Sequence, residues 1–355
     1  SCRECFHVYH RVMVMNSRLK YVIYFILFWG VHFTSFGKGI SFRGSNIIRV
    51  VHYLGESPQL AGTDQNMNNL WKMYKKDKTD FNVQQKILLG MPVFSSRLTN
   101  RSELEKWQVR VENLFKDYWK NKPHEQMLNK EDLNIIMLYN QKPEKNSEPI
   151  EFLIQNFETC CSIVTPQVML TYVAAYENSL INQLAKSGDI NYKKELARLR
   201  GDLKSIFELV QTKSLSVEYL MTAKADALYA LHGEKDQMKY IELQREFLSK
   251  MGDYAGVEEY KNAVLTLMLT VGKKLKPEAA QQSLVWLDKA LSFEVSVLQK
   301  VILVGAMGDC YLAINNQDKA KECFNQAYLL SLQLNDLRLQ NSIRQKLNTI
   351  SNEGV

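Results

Sequence analysis

Cys2 and Cys5, followed by His7 and His10, are where thiols and imidazoles crowd most closely in this 355-residue sequence. A C-x-x-C pair is the spacing of a zinc site or a dithiol redox centre, because two thiolates so placed reach one metal ion or each other. Here the pair sits at the tip of the chain with no βαβ pattern around it. Met15 reads as the start of the protein, so residues 1–14 read as translated upstream sequence and Cys2 and Cys5 carry no chemistry. Cys160 and Cys161 are adjacent, whereas Cys310 and Cys323 fall on the two arms of a helical hairpin. That second pair is a candidate disulfide in an oxidising compartment; the other reading is two free thiols used as small apolar residues. His32, His52, His124 and His232 are scattered, and no Ser or Cys elbow stands ready for any of them to activate. There is no H-E-x-x-H, and Gly272-Lys273-Lys274 lacks the upstream glycine and the hydroxyl residue of a phosphate loop. The expectation is a protein that is not an enzyme, with no catalytic residue, no metal ligand and no cofactor.

The elements that would position any site are helices. Val304, Met307, Tyr311 and Ile314 fall on one helical face, and Ala320, Phe324 and Ala327 on one face of the next, joined by the polar turn Asn315-Asn316-Gln317-Asp318. Asp318 is the expected N-cap of the second helix. Upstream, residues 278–292 place Leu284, Leu287 and Leu291 on a stripe and repeat the small, large, small spacing as Ser283, Leu287 and Ala290. Another helix breaks at His232-Gly233, and Leu196, Leu199, Leu203, Ile206, Phe207 and Val210 mark one more. A helix pair with one apolar face per helix must stack on neighbours to bury it, so the unit should recur, at roughly 35 to 40 residues. The fold expected is all-α, an array of antiparallel helical hairpins over 211–355 preceded by a helical region over 63–210; an irregular helical bundle is the alternative.

Gly308, Tyr311, Ala320, Phe324 and Ala327 stand at intervals of 3, 9, 4 and 3, and on these residues the segment 301–334 resembles one tetratricopeptide repeat. That resemblance implies a binding scaffold. The first helix of the pair would line a concave groove with Gly305, Asp309 and Leu312, unless neighbouring helices cover it. Asp309 stands where the carboxylate-clamping members of that family use Asn, so a partner bearing a free C-terminal carboxylate is not favoured.

At the other end, Arg18 and Lys20 precede the apolar run Tyr21–Phe33, with Ser35 and Gly37 at the −3 and −1 positions of a cleavage site before Lys38. Residues 15–37 therefore read as a secretory signal, the run being short of the ~20 residues of a spanning helix. The alternatives are an uncleaved membrane anchor, which would be the protein's sole membrane contact, or a buried strand. Residues 38–62 follow as a short strand-like N-terminal remnant with loop.

The helical segments 71–91 and 102–120 come next. The second is expected to open with a capping box of Ser102 and Glu105, and it is striped by Leu104, Trp107, Val111, Leu114, Phe115 and Tyr118. With Lys38–Phe42, Ile47–Gly55 and the helices to about residue 210, this succession resembles the flanking strand and C-terminal helical region of exported bacterial thioredoxin-family proteins. The two N-terminal segments are nearly contiguous here, where that family places its redox domain. The resemblance thus implies a derivative that has lost the thioredoxin active site.

Charge excludes little but points away from nucleic acid. The formal net charge is +7, and +4 for residues 38–355, since the segment removed holds Arg3, Arg11, Arg18 and Lys20 against Glu4. The densest basic cluster, Trp71–Lys78, reads as a solvated helix face. The function expected is a non-catalytic, exported helical repeat protein binding a protein or peptide in the periplasm or cell envelope. A degenerate thioredoxin-family redox accessory, or the inert product of a deleted gene, are the alternatives.

Overall fold

The computed structural model describes residues 67–201, 203–204 and 216–352, and among them it is all-α, with fifteen α-helices and no strand. The signal segment 15–37, the strand-like remnant 38–62, Cys2, Cys5, and Ile206, Phe207 and Val210 lie outside the described residues. No helix among the described residues is long and apolar enough to cross a membrane. Contacts divide the described residues into two compact units. The first holds those up to Asn182 and those of Lys193–Glu218; the second holds those of Gln183–Tyr192 and those from Tyr219 onward.

In the first unit, α1 (Met67–Lys76) buries Met67, Leu70 and Tyr74 and leaves its lysines in solvent. The basic run thus is a solvated helix face, and the helix stops before Lys78. Asp80 starts α2 (Phe81–Arg97) by accepting from the N–H groups of Asn82 at 2.9 Å and Val83 at 3.2 Å, so the segment 71–91 is two helices, not one. α3 (Arg101–Asn121) buries the expected Trp107, Val111, Leu114, Phe115 and Tyr118. Its cap is Asn100, which accepts from Glu103 N–H at 3.2 Å. The Ser102–Glu105 capping box is therefore absent: the helix begins a residue before Ser102, and Glu105 pairs instead with Arg101 at 3.0 Å. α4 (Lys130–Tyr139) is capped by Asn129. α2 lies against α1, α3 and α4, and Ile87, Leu88, Met91, Trp107, Leu114 and Ile136 are all buried, out of contact with water. Three further helices, α5 (Glu148–Gln155), α6 (Phe157–Ile163) and α7 (Pro166–Lys186), lead to α8 (Tyr192–Arg200).

The second unit is the helical array. α9 (Val217–His232) ends at the expected break, and Asp236 caps α10 (Gln237–Met251). α10 and α11 (Val257–Val271) stop alike, at Gly252 with φ +52° and Gly272 with φ +53°, a left-handed turn that glycine adopts without strain. Gly272-Lys273-Lys274 is thus a helix stop. α12 (Pro277–Leu291) buries Ser283, Leu287 and Ala290 completely. α13 (Val297–Ala313) opens on a capping box in which Ser296 Oγ accepts from Gln299 N–H and Gln299 Oε1 accepts from Ser296 N–H. α14 (Gln317–Ser331) is capped by Asn316, not Asp318, because the helix begins two residues earlier than expected and Asn316 Oδ1 reaches Lys319 N–H at 3.1 Å. α15 (Leu337–Asn352) closes the array. From α10 to α15 each helix packs on the next, and α10 meets α12 and α11 meets α13, the neighbour relation of stacked hairpins.

Candidate functional site

The candidate groove is one stripe of α13, beside the stripe that packs on α14. Gly308 faces Phe324: a Cβ at position 308 would lie 2.6 Å from the Phe324 ring. The glycine lets the aromatic of α14 seat against the α13 backbone, with Val301, Val304, Ala320 and Ala327 around it and Ile343 and Ile350 of α15 closing the cluster. Gly305, three residues back, is turned roughly 60° round the helix from Gly308, and a Cβ there would meet nothing within 4 Å.

The three candidate groove residues share one stripe of α13 but have different surroundings. Gly305 is half-buried beside open space. Asp309 Oδ2 accepts from Lys346 Nζ of α15 at 2.5 Å, and the same ammonium sits 5.3 Å from the Phe324 ring centroid. Leu312 packs against the hairpin core. Elsewhere on α13, Gln299 donates to Glu258 Oε1 of α11 at 3.0 Å, and Lys261 stands 2.5 Å from Glu258 Oε2. Asp309, Glu258 and Lys261 are thus each paired.

Cys310 and Cys323 are both free thiols, as are Cys160 and Cys161. Burial pushes the Cys310 thiol up to about 12, with Asp309 and Cys323 adding to it, and raises Cys323 as well. Burial likewise pushes Cys160 to about 11 and Cys161 to about 12. A thiol so raised is almost wholly protonated at neutral pH and is a poor nucleophile or ligand.

No family model matches this chain, and neither does any curated protein or solved structure.

His124 stacks on Trp119 with ring centroids 4.2 Å apart, its Nε2 3.2 Å from the Trp119 carbonyl oxygen. His232 ends α9, where burial, Lys186 and Lys235 lower its affinity for a proton. Among the described residues no group of three or more His, Cys, Asp and Glu could hold a metal ion.

Two buried polar groupings escape the sequence reading, both in the first unit. Asp132, 1% exposed, is fully engaged: Oδ2 accepts from Lys122 Nζ and Asn129 Nδ2, each at 2.6 Å, and Oδ1 accepts from the Tyr118 hydroxyl and from Gln85 at 3.3 Å. Burial and Asp132 together raise the Tyr118 phenol. With every partner in place this network locks α2, α3 and α4 together. The other grouping is Glu177 on α7, also 1% exposed, whose Oε2 has no hydrogen-bond partner among the described residues. Glu151 of α5 and Glu195 and Arg198 of α8 act on it. A carboxylate in the apolar stretch 166–186 was the available signal for it; the residues around it are too distant in sequence to have been read.

Proposed function

We propose that this chain is a non-catalytic, exported helical repeat protein that binds a protein or peptide in the bacterial envelope through the Gly305 face of α13. The observation that carries this reading is the pair of glycines on one helix, Gly308 closed against Phe324 and Gly305 open to space. A helix anchored at Gly308 and left without side-chain bulk beside that anchor, at Gly305, lets an extended segment approach its backbone. The buried set Ala320, Phe324 and Ala327 beneath it supports the tetratricopeptide-like reading of the hairpin. Asp309 is engaged by Lys346, so the partner is recognised by shape and apolar contact near Gly305 more than by that carboxylate. Export rests on the signal-like segment 15–37, and no nucleic acid is among the partners.

The redox-accessory alternative is weaker, because all four described thiols are raised by burial and so disfavoured as thiolates. Isolating the natural chain from the envelope fraction after mild crosslinking tests the proposal. A chain beginning at Lys38 and recovered with a stoichiometric protein companion supports it; a chain retained in the cytosol and recovered alone speaks against it.

A further inference from the structure

Glu177 is the one ionisable side chain of the first unit that is both 1% exposed and left with an unpartnered oxygen among the described residues. Its surroundings explain why. Arg198 of α8, the positive charge that acts on it, already donates to Glu151 Oε2 of α5 at 2.6 Å. Glu195, also on α8, is 8% exposed and adds a third carboxyl to the same neighbourhood. On α7 itself the neighbours are Tyr176, raised by burial, and the amides Asn178 and Asn182, which bond to each other at 2.9 Å. One guanidinium therefore faces three carboxyls.

We propose that Glu177 is a proton-operated latch: with its proton on, it sits neutral among α5, α7 and α8, and its ionisation leaves three carboxylates sharing Arg198 and loosens the packing around it. The device is independent of the binding reading above. Burial first, then Glu195 and Glu151, push the Glu177 carboxyl up to about 7, against the pull of Arg198. The native state thus holds a proton that the unfolded chain has released above its ordinary value of 4.5. Stability from this group is full below that value and is lost as pH rises to about 7.

Urea denaturation of the full chain between pH 4.5 and 8, for wild type and Glu177→Gln, tests this. The shift spans about 2.5 pH units, so the wild type should lose on the order of a hundredfold in its folding equilibrium across that window relative to the Gln variant. Groups that do not act on Glu177, His232 among them, are common to both chains and cancel in the difference. Parallel curves would overturn the latch. Should Glu177→Gln not fold, Glu195→Gln serves: removing one repelling charge must move the wild-type transition to lower pH, and an unmoved transition refutes the proposal.

Discussion

Gly308 and Phe324 are a matched pair: the ring of the α14 residue occupies the space that any side chain at the α13 residue would need, with 2.6 Å between the ring and an added Cβ. The same helix carries Gly305 with nothing within 4 Å of that position. One substitution three residues apart should therefore have opposite signs. Gly308→Ala overpacks the hairpin and should cost about 1–3 kcal/mol. Gly305→Ala should gain up to about 1 kcal/mol from helix propensity alone. In a Phe324→Ala background, itself costing about 3–5 kcal/mol, the penalty at 308 should vanish. Denaturant titrations of the wild type and these four variants check this, and equal effects at the two glycines would be incompatible with the geometry.

The Lys122–Asp132 pair should behave as a buried ion pair does when halved. Lys122→Met leaves the Asp132 carboxylate, 1% exposed, without its cation, and should destabilise the first unit by about 3–5 kcal/mol. A loss below about 1 kcal/mol would mean that the pair is not buried as described.

The hairpin around Gly308 was legible because helical periodicity and a small, large, small spacing are local signals, and Ser283, Leu287 and Ala290 repeat them upstream. The caps were less so. Asn315-Asn316-Gln317-Asp318 offers three side chains able to cap, and only the backbone path, with Asn315 at φ +58°, selects Asn316. Ser102 failed for the same reason, with Asn100 two residues earlier taking the role. The groove was read from the pattern of one hairpin, which cannot show that Lys346, 37 residues on, would reach Asp309. Glu177 and its neighbours on α5 and α8 are brought together only by tertiary packing.

The Asp309–Lys346 contact should count for little in stability despite its 2.5 Å length. Both side chains are about a third exposed, at 31% and 40%, so solvent screens them. Asp309→Asn should cost no more than about 1 kcal/mol, and less in high salt. A larger loss, or one indifferent to salt, would assign the carboxylate a structural part.

Thiol accounting tests the cysteine reading. Under native conditions at pH 8 the half-buried Cys161 and Cys323 should alkylate before the buried Cys160 and Cys310, all of them slowly. After unfolding without reductant all four should react. A species 2 Da lighter than the reduced chain, with Cys310 and Cys323 blocked, would instead establish the disulfide.

The binding face itself is tested most directly by placing a photo-crosslinking residue at position 305, where an added side chain meets no neighbour, and at the exposed Val285 of α12 as the control. Irradiation of the envelope should give a discrete crosslinked species from 305 and none from 285. Crosslinks of equal yield from both positions, or none from 305 with the chain folded, would contradict the assignment of the α13 face as the partner surface.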